Sequence, residues 1–398
     1  MISEKVISLV NNGSAIRAMF EEGANMAREF GKENVYDYSL GNPSVPAPKE
    51  VNESIIKEVQ DENSVVLHGY MNNAGYPDVR KAIADHLNKK FDTNFTEKNI
   101  LMTVGAAGGL NVILKTLLNP GDEVLTFAPY FVEYNNYVAN FDGIIKPVKT
   151  DEATFMPDPE KLRAAITPKT KALIINNPNN PTGAVYSEEV IKQVAQVLCE
   201  KEKEYATSIY LIADEPYREL AYDGVDVPYL TKYYHNTVVG YSYSKSLSLP
   251  GERIGYLVMP DELDDADMII AGAGVANRVL GFVNAPSLMQ KVIARSLDCV
   301  TEVGIYDKNR KFLYESLTKL GFECTKPEGA FYLWMKAPGG DDVAFSNAAK
   351  KYHLLIVAGK GFAGPGWVRL AYCVDYDMIV RSIPAFEKLA AEYGLVSK

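Results

Sequence analysis

Cysteine and histidine are both scarce in this chain of 398 residues, with four of each. Cys199, Cys299, Cys324 and Cys373 lie far apart with no metal-ligand spacing, and His68, His86, His235 and His353 are equally isolated. A bound zinc needs three or four such ligands together, so no metal site is expected. With no export signal, the cysteines read as buried thiols, not disulfides. No apolar run approaches the ~18 residues that span a bilayer. Met1-Ile2-Ser3-Glu4-Lys5 lacks the charged-then-apolar layout of a signal peptide, so the expectation is a cytoplasmic protein with no membrane partner. Positive charge is also short: 41 Lys and Arg face 51 Asp and Glu, for a net charge of −10. Phosphate backbones call for a basic face, which argues against a nucleic-acid partner. Repeats, low-complexity tracts and flexible linkers are missing. Gly272-x-Gly274 has no strand before it and no third glycine, so a dinucleotide fingerprint is missing too.

What is present is a regular alternation. Strand-type apolar runs occur at 100–104, 123–127, 172–175, 209–213, 238–241 and 255–259, with helix-length segments between them such as 108–118 and 187–204. This pattern predicts an α/β domain whose mostly parallel sheet is covered by helices on both faces. Asn119-Pro120-Gly121-Asp122 stops a helix before the next strand. From about Asn284 long helical stretches come first, then strands at 329–336, 354–357 and 368–374 and a closing helix near 375–393. That half reads as a smaller α+β domain. The length suits such a pairing of large and small units.

Ser242-Tyr243-Ser244-Lys245, followed by Gly251, Arg253 and Gly255, is the most specific stretch. Lysine captures carbonyls covalently, and the serine hydroxyls and the Arg253 fork suit a phosphate. A surface lysine in a polar loop is the bland alternative. Gly105-Ala106-Ala107-Gly108-Gly109 follows a strand and opens a helix, so its backbone N–H groups can approach a phosphate closely. Asn176 to Gly183 is an Asn- and Pro-rich turn after a strand, and Asp214-Glu215-Pro216-Tyr217 ends another. Ligands in open α/β sheets sit at such carboxyl ends.

Together these motifs closely resemble those of the pyridoxal-phosphate (PLP) aminotransferases of the aspartate aminotransferase superfamily, fold type I, class I/II. The resemblance runs from about Ser39 to Arg369. It implies a seven-stranded-type sheet in the large domain (49–294), and a small domain (295–398) made discontinuous by an N-terminal segment (1–48) that packs with it. It implies that Lys245 forms the aldimine with the cofactor and then moves protons, and that Asp214 keeps the pyridine nitrogen protonated. Tyr217 and Asn180 would face the phenolic oxygen, and Phe131, or its neighbour Tyr130, would stack on the ring. Ser242, Ser244, Arg253 and the Gly105, Ala106 and Ala107 backbone would hold the phosphate, although the family usually has a Ser or Thr in that turn. Tyr70, in a Tyr-x4-Gly-x4-Arg frame ending at Arg80, would reach a partner subunit's phosphate, making a homodimer with composite sites. Arg369, helped by Gly41, would bind the substrate α-carboxylate, and Asn180 would be a substrate-binding residue as well.

The implied reaction moves an amino group between an L-amino acid and a 2-oxo acid by a ping-pong mechanism. Arg278 and Arg17 are both candidates for a distal carboxylate, so aspartate, alanine, aromatic and other donors stay open. A PLP-dependent carbon–sulfur lyase and a non-catalytic PLP-binding regulator are the rivals. The lyases often carry a histidine inside the 176–183 motif, which this chain does not. The regulators add an N-terminal DNA-binding domain, for which no room is expected before Ser39.

Overall fold

The computed structural model describes residues 2–11 and 15–395; the side chains of residues 8, 11 and 15–18 lie outside the described set. Twelve strands are present among them: β1 (Tyr36–Asp37), β2 (Ile100–Thr103), β3 (Glu123–Ala128), β4 (Ile144–Lys149), β5 (Thr170–Asn176), β6 (Tyr210–Asp214), β7 (Thr237–Ser242), β8 (Gly255–Val258), β9 (Tyr332–Lys336), β10 (Leu354–Leu355), β11 (Val357–Ala358) and β12 (Trp367–Ala371).

Seven strands form one sheet in the order β2-β8-β7-β6-β5-β3-β4. Only β8 runs against its neighbours; the other pairings are parallel. β2, β3, β6, β7 and β8 are buried along their whole length. Their continuous apolar runs follow from having helices on both faces, and apolar clusters fill both sides of the sheet. The six predicted runs of the first half are all strands. The seventh, β4, escaped the sequence reading because Ile-Ile-Lys-Pro-Val-Lys carries a proline and two lysines. It is the sheet's edge, where a missing N–H is tolerated and lysines block further pairing.

Two smaller sheets lie in the other half. β11-β12-β9 is antiparallel, and β1 pairs in parallel with β10. The sequence reading expected one strand over 354–357. Instead the chain breaks at Ile356, so β10 serves β1 while β11 serves β12. Tyr38, Phe331, Phe345 and Phe386 pack in the core of this half. The helix Tyr376–Glu392 covers it, capped by Asp375, whose carboxylate accepts from Met378 N at 3.1 Å. No described helix is long and apolar enough to cross a membrane.

Candidate active site

β5, β6 and β7 run side by side, with Asn176 opposite Asp214 and Asp214 opposite Gly240. Their carboxyl ends therefore deliver Asn176, Asp214 and Ser242 to one edge of the sheet. A cavity of about 270 Å³ opens there, closed on its far side by Leu40, Gly41, Tyr332 and Arg369.

Ser242 ends β7 and caps the short helix Tyr243–Ser246: its Oγ accepts from Ser244 N at 3.2 Å and lies 2.8 Å from Ser244 Oγ. That turn projects Lys245 into the cavity, where Nζ donates to Gly41 O at 2.7 Å. Burial, with Arg369 and Arg253 adding to it, pulls the Lys245 pKa down to about 8. Asp214 Oδ2 accepts from Tyr134 at 2.5 Å, while its buried Oδ1 has no partner among the described residues. Burial pushes this carboxyl up to about 7, against the pull of the Tyr134 hydrogen bond.

Gly105 opens the helix Gly105–Leu117 at φ +77°, with Ala106 and Ala107 in its first turn. The Arg253 guanidinium folds across it, donating to Pro250 O at 2.9 Å and Val104 O at 3.2 Å. A Cβ on Gly105 would sit 2.7 Å from Arg253 Nη2, the end of a flexible side chain, so it is the positive φ that calls for glycine. The free N–H groups of the helix start, Ser242, Ser244 and Arg253 together form a cradle for an anion.

Arg369 is buried in β12. Nη1 donates to Asn180 Oδ1 at 3.1 Å and Nη2 to Ser39 O at 2.5 Å, and the guanidinium stacks on Tyr332 and Phe362. These partners are an amide and a backbone carbonyl, not a carboxylate, and Nε has none among the described residues. Tyr217 and Tyr332 share a hydrogen bond of 2.8 Å.

The family model for aminotransferase class I and II matches residues 33–383. The chain belongs to the class I and II aminotransferases. It is a transaminase, of a family that works with pyridoxal phosphate. The aspartate/prephenate aminotransferase of Thermus thermophilus is 30% identical over 88% of this chain and 90% of its own. A crystal structure of an aminotransferase from Eubacterium rectale superposes with a TM-score of 0.96 at 48% identity, covering 99% of both chains. The Thermus thermophilus aspartate aminotransferase with maleate superposes at 0.86 and 28% identity, over 98% of this chain and 99% of that one.

The residues of this aminotransferase fit the cofactor. An unpartnered buried carboxyl oxygen suits a ring N–H, the helix-start cradle suits a phosphate, and Lys245 carries a readily neutralised amine.

Most residues anticipated from sequence line the cavity together: Gly41, Ala106, Ala107, Phe131, Asn180, Asp214, Tyr217, Ser242, Ser244, Lys245, Arg253 and Arg369. Tyr130 is buried beside it, with its hydroxyl turned to Asn135 at 2.7 Å. Tyr70 is elsewhere, on the surface and 95% exposed. Arg80 ties the frame around it by donating to Gly75 O and Glu97 O. Arg278 lies exposed near the end of the helix Ala266–Val279 and does not line the cavity; the Arg17 side chain lies outside the described residues. Sequence reasoning missed Tyr134, Tyr137, Asn176 and Tyr332. Asn176 ends a strand inside a quoted motif and could have been found; the tyrosines carry no local signal.

Proposed function

We propose that this aminotransferase carries an amino group from an L-amino acid to a 2-oxo acid in two half-reactions, with pyridoxal phosphate in the cavity at the ends of β5, β6 and β7. The observation that carries this is the pairing of Lys245, with its lowered pKa, and the half-partnered Asp214 in one cavity. When bound, the cofactor supplies an aldehyde that captures amines and a ring that drains electrons from the substrate's α-carbon.

Lys245 would hold the aldehyde carbon. Once displaced, its Nζ would take the proton from the α-carbon of the amino acid and pass it to the former aldehyde carbon, and would run the same transfer backwards in the second half-reaction. Asp214 would hold the ring nitrogen's proton, and Asn180 and Tyr217 would donate to the phenolic oxygen. Phe131 would cover the ring face. Ser242, Ser244, Arg253 and the Gly105, Ala106 and Ala107 N–H groups would hold the phosphate. Arg369 fits the substrate α-carboxylate, beside the Gly41 backbone, because a planar fork on an apolar strand needs an anionic partner.

A homodimer with composite sites belongs to the same proposal, supported by the outward-facing Tyr70. So do a cytoplasmic setting and the division into an N-terminal segment (1–48), a large domain (49–294) and a small domain (295–398). The pairing of β1 with β10 supports the packing of the first segment with the last.

The test is the visible absorption of the purified protein with pyridoxal phosphate, before and after single amino acids are added. A donor bleaches the visible band and raises a near-ultraviolet one, and Lys245→Ala lacks both the visible band and turnover. Full activity in Lys245→Ala ends the reading.

A further inference from the structure

His235 is isolated in sequence but not in space. Its imidazole, the Cys199 thiol and the Glu202 carboxylate each offer one ligand atom, and the three atoms lie within 4.8 Å of one another. We propose that Cys199, Glu202 and His235 form a binding site for one zinc-class divalent cation at the amino-terminal edge of β6 and β7.

The local structure builds the set. Cys199 and Glu202 are three residues apart on the helix Glu188–Tyr205 and so share a face. His235 stands in the turn just before β7. Zinc bonds of about 2.0–2.3 Å put tetrahedral ligands about 3.5 Å apart, so these atoms need to close by only about 1 Å. The half-exposed His235 can swing to do this. Thiolate, imidazole and carboxylate form a borderline-soft set that suits zinc and disfavours magnesium or calcium. Three protein ligands leave a fourth position for water.

The surroundings hold the ligands in place. Glu202 Oε1 accepts from Ile209 N and Asn236 Nδ2, both at 2.8 Å, which takes two of the carboxylate's roughly four acceptor positions. His235 Nε2 lies 3.7 Å from Asp264 Oδ1, close enough for this carboxylate to orient the ring when an ion binds. Asp264 is itself fixed by Ser208 Oγ at 2.6 Å and Asn236 Nδ2 at 2.8 Å. Asn236 therefore clamps the ligand carboxylate and the Asp264 carboxylate at once.

Asp214 and Ser242 sit at the opposite ends of β6 and β7, roughly 15 Å away at strand rise. An ion here joins a helix end to the start of two sheet strands and takes no part in transamination. It raises thermal stability and leaves turnover unchanged.

The experiment uses untagged holoenzyme, dialysed free of excess cofactor and equilibrated with zinc ion. One equivalent of bound zinc and a raised Tm are expected. Cys199→Ser and His235→Ala, verified as folded by the bound cofactor's absorption, lose about 100-fold or more in zinc affinity and lose the Tm shift. Asp264→Asn keeps the stoichiometry and weakens binding about tenfold. Wild-type protein that holds no stoichiometric zinc, or folded variants that bind it unchanged, overturn the proposal.

Discussion

Tyr134 donates its phenolic hydrogen to Asp214 Oδ2 across 2.5 Å, with both residues buried. This bond is the main influence holding the Asp214 pKa down, while burial drives it up from 3.8 to about 7. The folded protein therefore binds a proton at Asp214 that the unfolded chain has already released between those values.

The sign of the stability effect follows from that difference. Where the folded state binds more protons, stability falls as pH rises. The cofactor-free protein should lose stability between about pH 4 and pH 7 through Asp214, by on the order of a few kcal/mol. Tyr134→Phe raises the Asp214 pKa further and carries the loss to higher pH, while Asp214→Asn removes this contribution. Tm against pH for the three cofactor-free proteins is the measurement. Superimposable profiles would show that Asp214 does not titrate in this window.

Tyr134 also marks where the sequence stopped being informative. Lys245, Asp214, Asn180 and Arg253 are legible because strand-end turns put their chemistry beside Ser, Gly and Pro in short local patterns. Tyr134 is one of 25 tyrosines, and only the fold brings it, from the helix Glu133–Asn140, to the carboxylate that ends β6. Tyr332 is legible as a strand residue, and its contact with Tyr217 spans 115 positions. β4 was lost to its own edge chemistry, and the single strand expected at 354–357 hid a switch between sheets. The Cys199–His235 neighbourhood is hidden for the same reason as Tyr134: a helix and the turn before β7 meet only in the folded chain.

Arg369 uses both terminal nitrogens of its fork, one on Asn180 and one on Ser39, between two aromatic faces. A lysine keeps the charge and loses the fork and the stacking. Arg369→Lys should raise KM for amino acid and 2-oxo acid alike by about 10- to 100-fold, the range of a charge-assisted hydrogen bond. The bound cofactor's visible spectrum stays as it was. Steady-state kinetics with both substrates check this, and an unchanged KM for both removes Arg369 from carboxylate recognition.

Gly41 faces Tyr332 so closely that an added Cβ would fall 2.1 Å from its hydroxyl oxygen. The same residue's carbonyl accepts the Lys245 hydrogen bond at 2.7 Å. Gly41→Ala should therefore cost about 1–3 kcal/mol by overpacking and lower kcat by shifting that carbonyl. Tyr332→Phe removes the clashing oxygen, so the double variant Gly41→Ala/Tyr332→Phe should recover part of both losses. Chemical denaturation and kinetics of the two single variants and the double variant form the cycle. Strict additivity would place the damage elsewhere.

Tyr70 gives the sharpest test of the composite site. It is 95% exposed and does not line its own chain's cavity, so within one chain Tyr70→Ala leaves the site's lining intact. In a two-fold dimer, each site would combine Lys245 of one copy with Tyr70 of the other. A hybrid of a Lys245→Ala subunit with a Tyr70→Ala subunit then holds one doubly defective site and one fully intact site. Lys245→Ala homodimers should be inactive, and Tyr70→Ala homodimers should bind the cofactor more weakly. Mixing the two by reversible dissociation at limiting cofactor should restore one wild-type site per hybrid dimer, so activity rises above the sum of the separate pools. If Tyr70 serves only its own chain, the hybrid's Lys245-bearing site also carries the Tyr70 defect and mixing restores nothing.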